Sequence, residues 1–274
     1  MTRKRLFFVI IAMVFISLNV YLFVSAPGRI NTLERDSTLK YSSKDLFTFL
    51  AKLNDEARTL YTTQIVQSGK KSGLKFDENW KNKNVHAGPL PALFLRETSS
   101  FIEKSDIELG LYLGSDFPIS QANQFNGIQK SEFEKIKENG EPRFFYDENT
   151  KRNFGMFPDY AIGNACVNCH NEHEESPKKD WVLNDIMGAT TWSTPKDSLS
   201  TEELLHYMKT YLEASYKTYE KYLSSVEYFN KEEKPIIGKK WPSEGFYLPD
   251  PQTFKLRLDT LYSSYTLNEL FIKQ

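Results

Sequence analysis

At 274 residues the chain has room for one large domain, or for one domain and an appendage. Its 40% hydrophobic and 26% charged residues are the balance of a folded globular protein, not of a disordered one. A formal net charge of −1 leaves no electrostatic basis for binding nucleic acid or for broad adhesion to anionic lipid.

The first element follows Arg3, Lys4 and Arg5. From Leu6 to Val24 the stretch LFFVIIAMVFISLNVYLFV runs 19 residues without a charge, interrupted only by Ser17 and Asn19. At about 1.5 Å per residue such a helix reaches roughly 28 Å, close to the hydrocarbon thickness of a bilayer. The basic residues ahead of it predict a cytoplasmic N-terminus and translocation of the remainder. A cleaved signal peptide competes with a retained anchor. The run exceeds the roughly 7–15 residues of a signal peptide's apolar region, and cleavage after Ala26 would leave Pro27 first. Residues 1–26 are therefore expected to be a transmembrane anchor or signal segment, with the anchor preferred. That implies a single-pass inner-membrane protein with its bulk periplasmic or otherwise extracytoplasmic.

Beyond the anchor, Leu46, Phe49, Leu50, Leu53, Ala57, Leu60 and Ile65 recur at spacings of three and four, predicting a helix over 42–66. The polar QSGKKSG and DENWKNKN then read as loop. Pro89 and Pro91 open a short helix at PALFLRETSSFIEK. IELGLYLGSDF, Ile107 to Phe117, reads as a strand with a bend, and KSEFEKIKE as a helix. Two aromatic runs around Asp147, Glu148, Asn149 and Thr150 predict a β-hairpin. YAIGNACVNCH is expected to approach its cysteines as a short strand breaking at Gly163, and DIMGATTWST, Asp185 to Thr194, is a further strand. Ser200 and Glu203 form a capping box ahead of a long amphipathic helix carrying Leu204, Met208, Tyr211, Leu212, Tyr219, Leu223, Val226 and Phe229. The expected fold is α+β, an antiparallel sheet flanked by helices over residues 40–197. A helical C-terminal extension, 198–274, is expected to pack on it.

The chemistry concentrates in NACVNCHNEHEESPKKD, Asn164 to Asp180, which holds the only two cysteines, Cys166 and Cys169, with His170 directly behind. Cys-x-x-Cys-His is the attachment pattern of haem c. Two thiols add to the two vinyl groups, and the adjacent histidine supplies a neutral imidazole as proximal ligand. A redox thiol pair, half of a zinc site and a disulfide remain alternatives. The first would ordinarily precede a helix in a βαβ unit, the second needs four ligands, and the third is cramped across two residues. Haem c is attached outside the cytoplasm, the compartment that the N-terminal segment independently predicts. The expectation is one covalent haem c on Cys166 and Cys169 with His170 on the iron.

The flanking residues carry a resemblance. CVNCHNEHEESPKKDWVLNDIMGA resembles the core of a bacterial family of haem c sensor domains of originally unknown function, where the cysteine motif runs into Asn-x-His and Ser-Pro-Lys-x-Asp-Trp. Upstream, GPLPALFLRE and LYLGSDFPIS are similar to that family's helix start and strand, so the resemblance covers about residues 42–195. It implies a PAS-like fold, often N-terminal to a cyclase, histidine kinase or methyl-accepting protein. It also carries haem attachment onto Cys166 and Cys169, and ligation onto His170. Asn184 stands where the family has a glycine, a departure that bears on the turn into the last strand. The stretch after Pro195 is too short for a cyclase or kinase, so any signal is expected to pass to a partner protein.

For the second iron ligand His86, in KNVHAGPLP ahead of a helix start, is the first candidate, followed by His173, His206, Met156 and Met187. Trp181 and Asp180 either close the haem edge or simply pack the loop, and Lys178 and Lys179 either pair with the propionates or lie solvated. The expected role is sensing of redox state or of a diatomic gas, not catalysis. A small haem peroxidase or nitrite-type reductase would want an acid–base histidine or arginine, and Arg96, Arg143 and Arg152 are not assignable to one. A periplasmic electron-transfer cytochrome c is the main alternative, and a membrane-tethered binding module without haem is the remaining one.

Overall fold

The computed structural model describes residues 3–24 and 40–272, in two units, Met1–Leu39 and Lys40–Gln274. In the first unit α1 (Arg3–Val24) is a single 22-residue helix. Among the described residues no helix is long and apolar enough to cross a membrane. The anchor expected over residues 1–26 falls in part on side chains outside the described residues.

The second unit begins with β1 (Lys40–Ser42) and α2 (Ser43–Leu60). Ser42 starts α2 with a capping box: its hydroxyl accepts the Asp45 backbone N–H at 3.2 Å, and the Asp45 carboxylate accepts the Ser42 N–H at 3.0 Å. Every apolar position predicted from the spacing is buried, from Leu46 to Ile65. The helix does not stop where QSGKKSG suggested a loop. It passes through a π-helical stretch, Tyr61–Gln67, into α3 (Ser68–Lys71).

Two short parallel strands follow, β2 (Phe76–Asp77) and β3 (Gly88–Pro89), and then α4 (Pro91–Ile102). The central sheet is built from β4 (Gly110–Gly114), then, after α5 (Gly127–Asn139), β5 (Arg143–Asp147) and β6 (Arg152–Tyr160). Its last strand, β7 (Ile186–Thr194), is reached through α6 (Asn164–Glu172). The order across the sheet is β4-β7-β6-β5 with every pair antiparallel. The turn of the β5–β6 hairpin is tied by Asp147, whose carboxylate accepts the Asn149 N–H at 3.0 Å and the Thr150 hydroxyl at 2.9 Å. β8 (Ser198–Ser200), paired with β1, leads through the predicted Ser200–Glu203 capping box into α7 (Thr201–Val226). β9 (Ile236–Gly238), β10 (Tyr247–Pro249) and α8 (Pro251–Ile272) complete the unit.

The core explains the layering. Strand periodicity sends Gly155, Phe157 and Asp159 of β6 to one face and Met156 to the other. On the first face α2 lies so close that a Cβ at Gly155 would stand 2.8 Å from Phe47. Trp192 of β7, fully buried, meets Tyr211 of α7 edge-on at 5.6 Å. The Tyr211 and Tyr262 hydroxyls reach α2 at Asn54 and Leu53, each at 3.3 Å. The C-terminal helices therefore pack on the domain as part of its main core, α7 against α4, α2 and Trp192 of β7, and α8 against α2. On the opposite face α5 closes a smaller cluster of Phe125, Phe133, Ile136, Met156 and Ala189. The α+β class with an antiparallel, helix-flanked sheet stands as expected.

Candidate functional site: the cysteine–histidine helix

The cysteine motif sits in an excursion between neighbouring antiparallel strands. β6 and β7 shift register at Asp159/Tyr160. Just beyond, Ala161 donates its N–H to the Asp185 carbonyl at 2.9 Å, and the Asn184 N–H reaches the Ala161 carbonyl at 3.0 Å. These two bonds pin both ends of the excursion. Asn184 has φ +70, the left-handed region where an L residue pays a steric cost and asparagine pays less than most. The departure from the family's glycine thus leaves the turn intact.

Where a strand breaking at Gly163 was expected to carry the cysteines, the chain turns helical at once. Gly163 is the extended N-cap of α6, its carbonyl accepting the Cys166 N–H at 2.9 Å, and no side chain caps the helix. A nine-residue helix with a single apolar residue, Val167, between its cysteines carries no readable periodicity. Contacts from outside hold it. The Asn171 side-chain amide donates to the Trp181 carbonyl and accepts the Trp181 N–H, both at 2.9 Å.

On this helix Cys166, Cys169 and His170 fall at i, i+3 and i+4, which brings all three onto one face. Both thiols are free, Cys166 half-buried and Cys169 exposed. Burial pushes the Cys169 thiol up; Lys70 opposes this, while Glu78, Cys166 and Glu172 add to it. A redox thiol pair needs the reverse, a stabilised thiolate. The antiparallel setting of β6 and β7 also removes the βαβ context that such a pair uses. His170 is half-buried, and burial, followed by the neighbouring His173, lowers its proton affinity while Asp159 works upward. Neutral imidazole, the ligating form, is favoured. Its Nδ1 is buried without a hydrogen-bond partner, an arrangement that costs about 1–3 kcal/mol when nothing satisfies the atom. Two free thiols and an imidazole with an unsatisfied nitrogen fit the donor set of a covalent haem c.

Three further groups frame the helix. Trp181, 5% exposed, meets Phe117 edge-on at 6.3 Å and carries Lys178 over its ring at 4.5 Å, and its Nε1 is also unpartnered. Lys178 pairs with the exposed Asp180, and that hydrogen bond holds the Asp180 carboxyl below its usual range. At the end of β6 that leads to α6, Arg58, in the last turn of α2, places Nη2 3.0 Å from Asp159 Oδ1 and Nη1 3.4 Å from Thr190 Oγ1. One turn earlier on α2, burial pushes the Asp55 carboxyl up to about 6, against the pull of Arg58. Sequence reasoning missed the Arg58–Asp159 pair, because its members lie 101 positions apart and no local pattern links them. Asn171 had a signal, the Asn-x-His of the family pattern, and its role as a clamp came only with the geometry.

The remaining candidates lie in other settings. His86 Nδ1 is 2.6 Å from Glu233 Oε2, with Asn230 Nδ2 at 3.1 Å and Phe229 stacked obliquely beside it. His173 accepts the Glu175 N–H on Nδ1 at 3.1 Å and turns Nε2 to Glu78 at 3.4 Å. His206 lies 3.3 Å from Asp106 on the rim of a cleft of about 330 Å³ that contains no residue of α6. Met156 is fully buried in the smaller core cluster, and the carbonyl of Met187 accepts the Ser115 hydroxyl. Arg143 is bound to Glu132, and Arg152, at the far end of β6 from α6, to the Glu108 and Ser193 carbonyls. Among the described residues no three histidines, cysteines or carboxylates gather as a metal site, so the four ligands of a structural zinc are not assembled around the cysteines.

Comparison with known proteins agrees with this geometry. The Tll0287-like family model matches residues 39–195, from the edge of β1 to just past β7, including all of α6. No curated protein and no solved structure matches the chain. The chain belongs to the Tll0287-like family, a family of haem c sensor-type domains.

Proposed function

We propose that the chain carries one haem c, attached through Cys166 and Cys169 with His170 as axial ligand, and senses redox state or a small diatomic ligand. The observation that carries this reading is the shared face of α6, where two free thiols flank a half-buried imidazole whose Nδ1 has no partner. When bound, the group supplies one-electron exchange and a site for small ligands at iron. The protein's own part is to favour the neutral form of His170 by burial, which also pushes the Cys169 thiol up. Asn171 locks α6 to Trp181, so the ligating helix keeps one orientation relative to the loop behind it. The antiparallel order β4-β7-β6-β5, in which the first strand returns beside the last, supports a PAS-like core.

The protein is proposed to sit outside the cytoplasm, tethered to the inner membrane by residues 1–26 and relaying its state to a partner protein. The arginine-rich basis on the N-terminal side and the length of the apolar run support that placement. His86 remains the proposed second ligand, and its engagement with Glu233 makes it a ligand only if that pair opens. Catalysis is not part of the proposal, since Arg143 and Arg152 are committed elsewhere. The exposure of Cys169 favours one competing reading, an electron carrier with its haem edge near solvent.

The test is the optical spectrum of protein exported together with haem-maturation machinery. A pigment that survives acid–acetone extraction, and is lost in the C166S/C169S variant, is expected. The same pigment in that variant would end the haem c reading. Ready CO binding by the ferrous form supports sensing; a form that reduces fast and ignores CO supports the electron carrier. An unchanged spectrum in H86A removes His86 from the iron.

A further inference from the structure

A cleft of about 250 Å³, with no residue of α6 in its lining, lies between the loop joining β2 to β3 and the end of α7. Consecutive turns hold the loop. The Asn82 carbonyl accepts the Val85 N–H at 2.8 Å, and the Asn82 side-chain oxygen accepts the Asn84 N–H at 3.0 Å. Trp80, 3% exposed, anchors the start of the loop, and Lys81, Lys83 and Val85 face the cleft from it. The opposite wall is Lys221 of α7 and Tyr228, two residues past the helix end and 55% exposed.

The charge around the cleft is one-sided. Glu97 of α4, 4% exposed, binds Lys81 at 2.5 Å through one oxygen and Lys221 through the other. One carboxylate thus serves two ammonium groups. Lys83, the third lysine of the lining, is bound to no carboxylate among the described residues, and its Nζ stands 4.3 Å from the centre of the Tyr228 ring. The whole chain carries a net charge of −1, so this positive excess is local. The C-terminal end of a helix would ordinarily repel an anion. Here the Ser225 and Val226 carbonyls already accept the Tyr228 and Phe229 N–H groups, both at 3.1 Å. The Ser224 and Ser225 hydroxyls donate to the Glu220 and Tyr222 carbonyls at 3.0 and 2.7 Å, which leaves the lysines to select charge.

We propose that this cleft binds a small organic anion with a flat apolar body, an aromatic carboxylate. Its carboxylate takes Lys83 and shares Lys81 or Lys221 with Glu97, while Val85 and Tyr228 cover its ring. The volume is at the small end for ligand pockets and suits a single ring. One wall lies within the family-matched stretch and the other in the C-terminal extension, so the site needs both. It stands whether or not α6 carries haem.

Benzoate is the probe, titrated into the full chain in a neutral detergent and followed by calorimetry. One site per chain with a Kd of about 1 mM or tighter is expected. K83Q and Y228A alter exposed side chains and should fold as wild type does. Each is expected to weaken benzoate about tenfold or more. Benzylamine, the same ring carrying a cation, is expected not to bind, and inorganic phosphate at matched ionic strength to bind about tenfold more weakly than benzoate. Phosphate as tight as benzoate would reveal a general anion patch, and benzylamine as tight would show that the ring alone decides. Unchanged affinity in either variant would put benzoate elsewhere. Each of these results would overturn the proposal, as would the absence of saturable binding by the wild type.

Discussion

The sheet with its long helices and the excursion bearing α6 are held by different physics. In the first, apolar surface decides. Trp192, Tyr211, Phe47 and Leu50 are at most 1% exposed, and α2 is gripped on two sides by groups it cannot leave without opening cavities. In the second, α6 has no capping side chain and exposes Cys169. It is fixed by a handful of directional bonds: the Asn171 clamp and the pins at Ala161, Asn184 and Asp185. The excursion also leaves polar atoms of His170 and Trp181 buried and unpaired. The scaffold carries unpaired atoms too, at Asn54, Thr191 and Trp192, but there the surrounding apolar packing holds the side chains in place. The two regions should therefore fail separately.

The largest break is on the scaffold side. W192A empties the space between β7 and α7 and should cost about 3–5 kcal/mol, read as a lower urea midpoint for the whole Lys40–Gln274 unit. Next, N171A removes both bonds to Trp181 and should cost about 1–3 kcal/mol in the excursion. Limited proteolysis should then cut between residues 162 and 183 while the sheet's exchange protection stays as in wild type. If N171A lowered sheet protection equally, the two regions would be one cooperative unit and the contrast would fall. N184V, placing a β-branched residue at φ +70, should cost about 1–2 kcal/mol, whereas N184G should be near neutral. Equal loss in both would show that the asparagine side chain matters more than the backbone conformation.

The smallest effect sharpens the scaffold side. The hydrogen bond from Lys196, and then the Ser200 backbone N–H, lowers the Glu203 carboxyl from 4.5 to about 2 in the folded protein. The stability this adds is complete above the unfolded value, 4.5, and is lost as pH falls towards 2. Because the carboxylate is largely in solvent, the effect is only about 0.5–1 kcal/mol. Urea midpoints of wild type and E203Q should differ above pH 4.5 and converge near pH 2. A constant gap across that range would put the contribution in the helix cap alone.

The two regions were also unequally legible. Helical periodicity from Leu46 to Ile65, the Ser200–Glu203 box and the Asp147 turn are local patterns, and each became the predicted element because the side chains that specify it lie within a few residues of one another. α6 was misread as the end of a strand because its helix is specified from outside, by Trp181 and by the pinned strand ends. The C-terminal helices looked like an addition to the domain, since amphipathic spacing announces an apolar face without naming what covers it. α2 covers it.

By itself the sequence determined the chemistry on offer: two thiols and an imidazole at haem c spacing. Residue identity and spacing along the chain are enough for that, because covalent reach is short. Only the tertiary structure decided what surrounds those groups. It turned Cys166, Cys169 and His170 to one face, set His86 against Glu233, and paired Arg58 with Asp159. Burial, charge and hydrogen-bond partners come from residues a hundred positions away, and no local pattern records them.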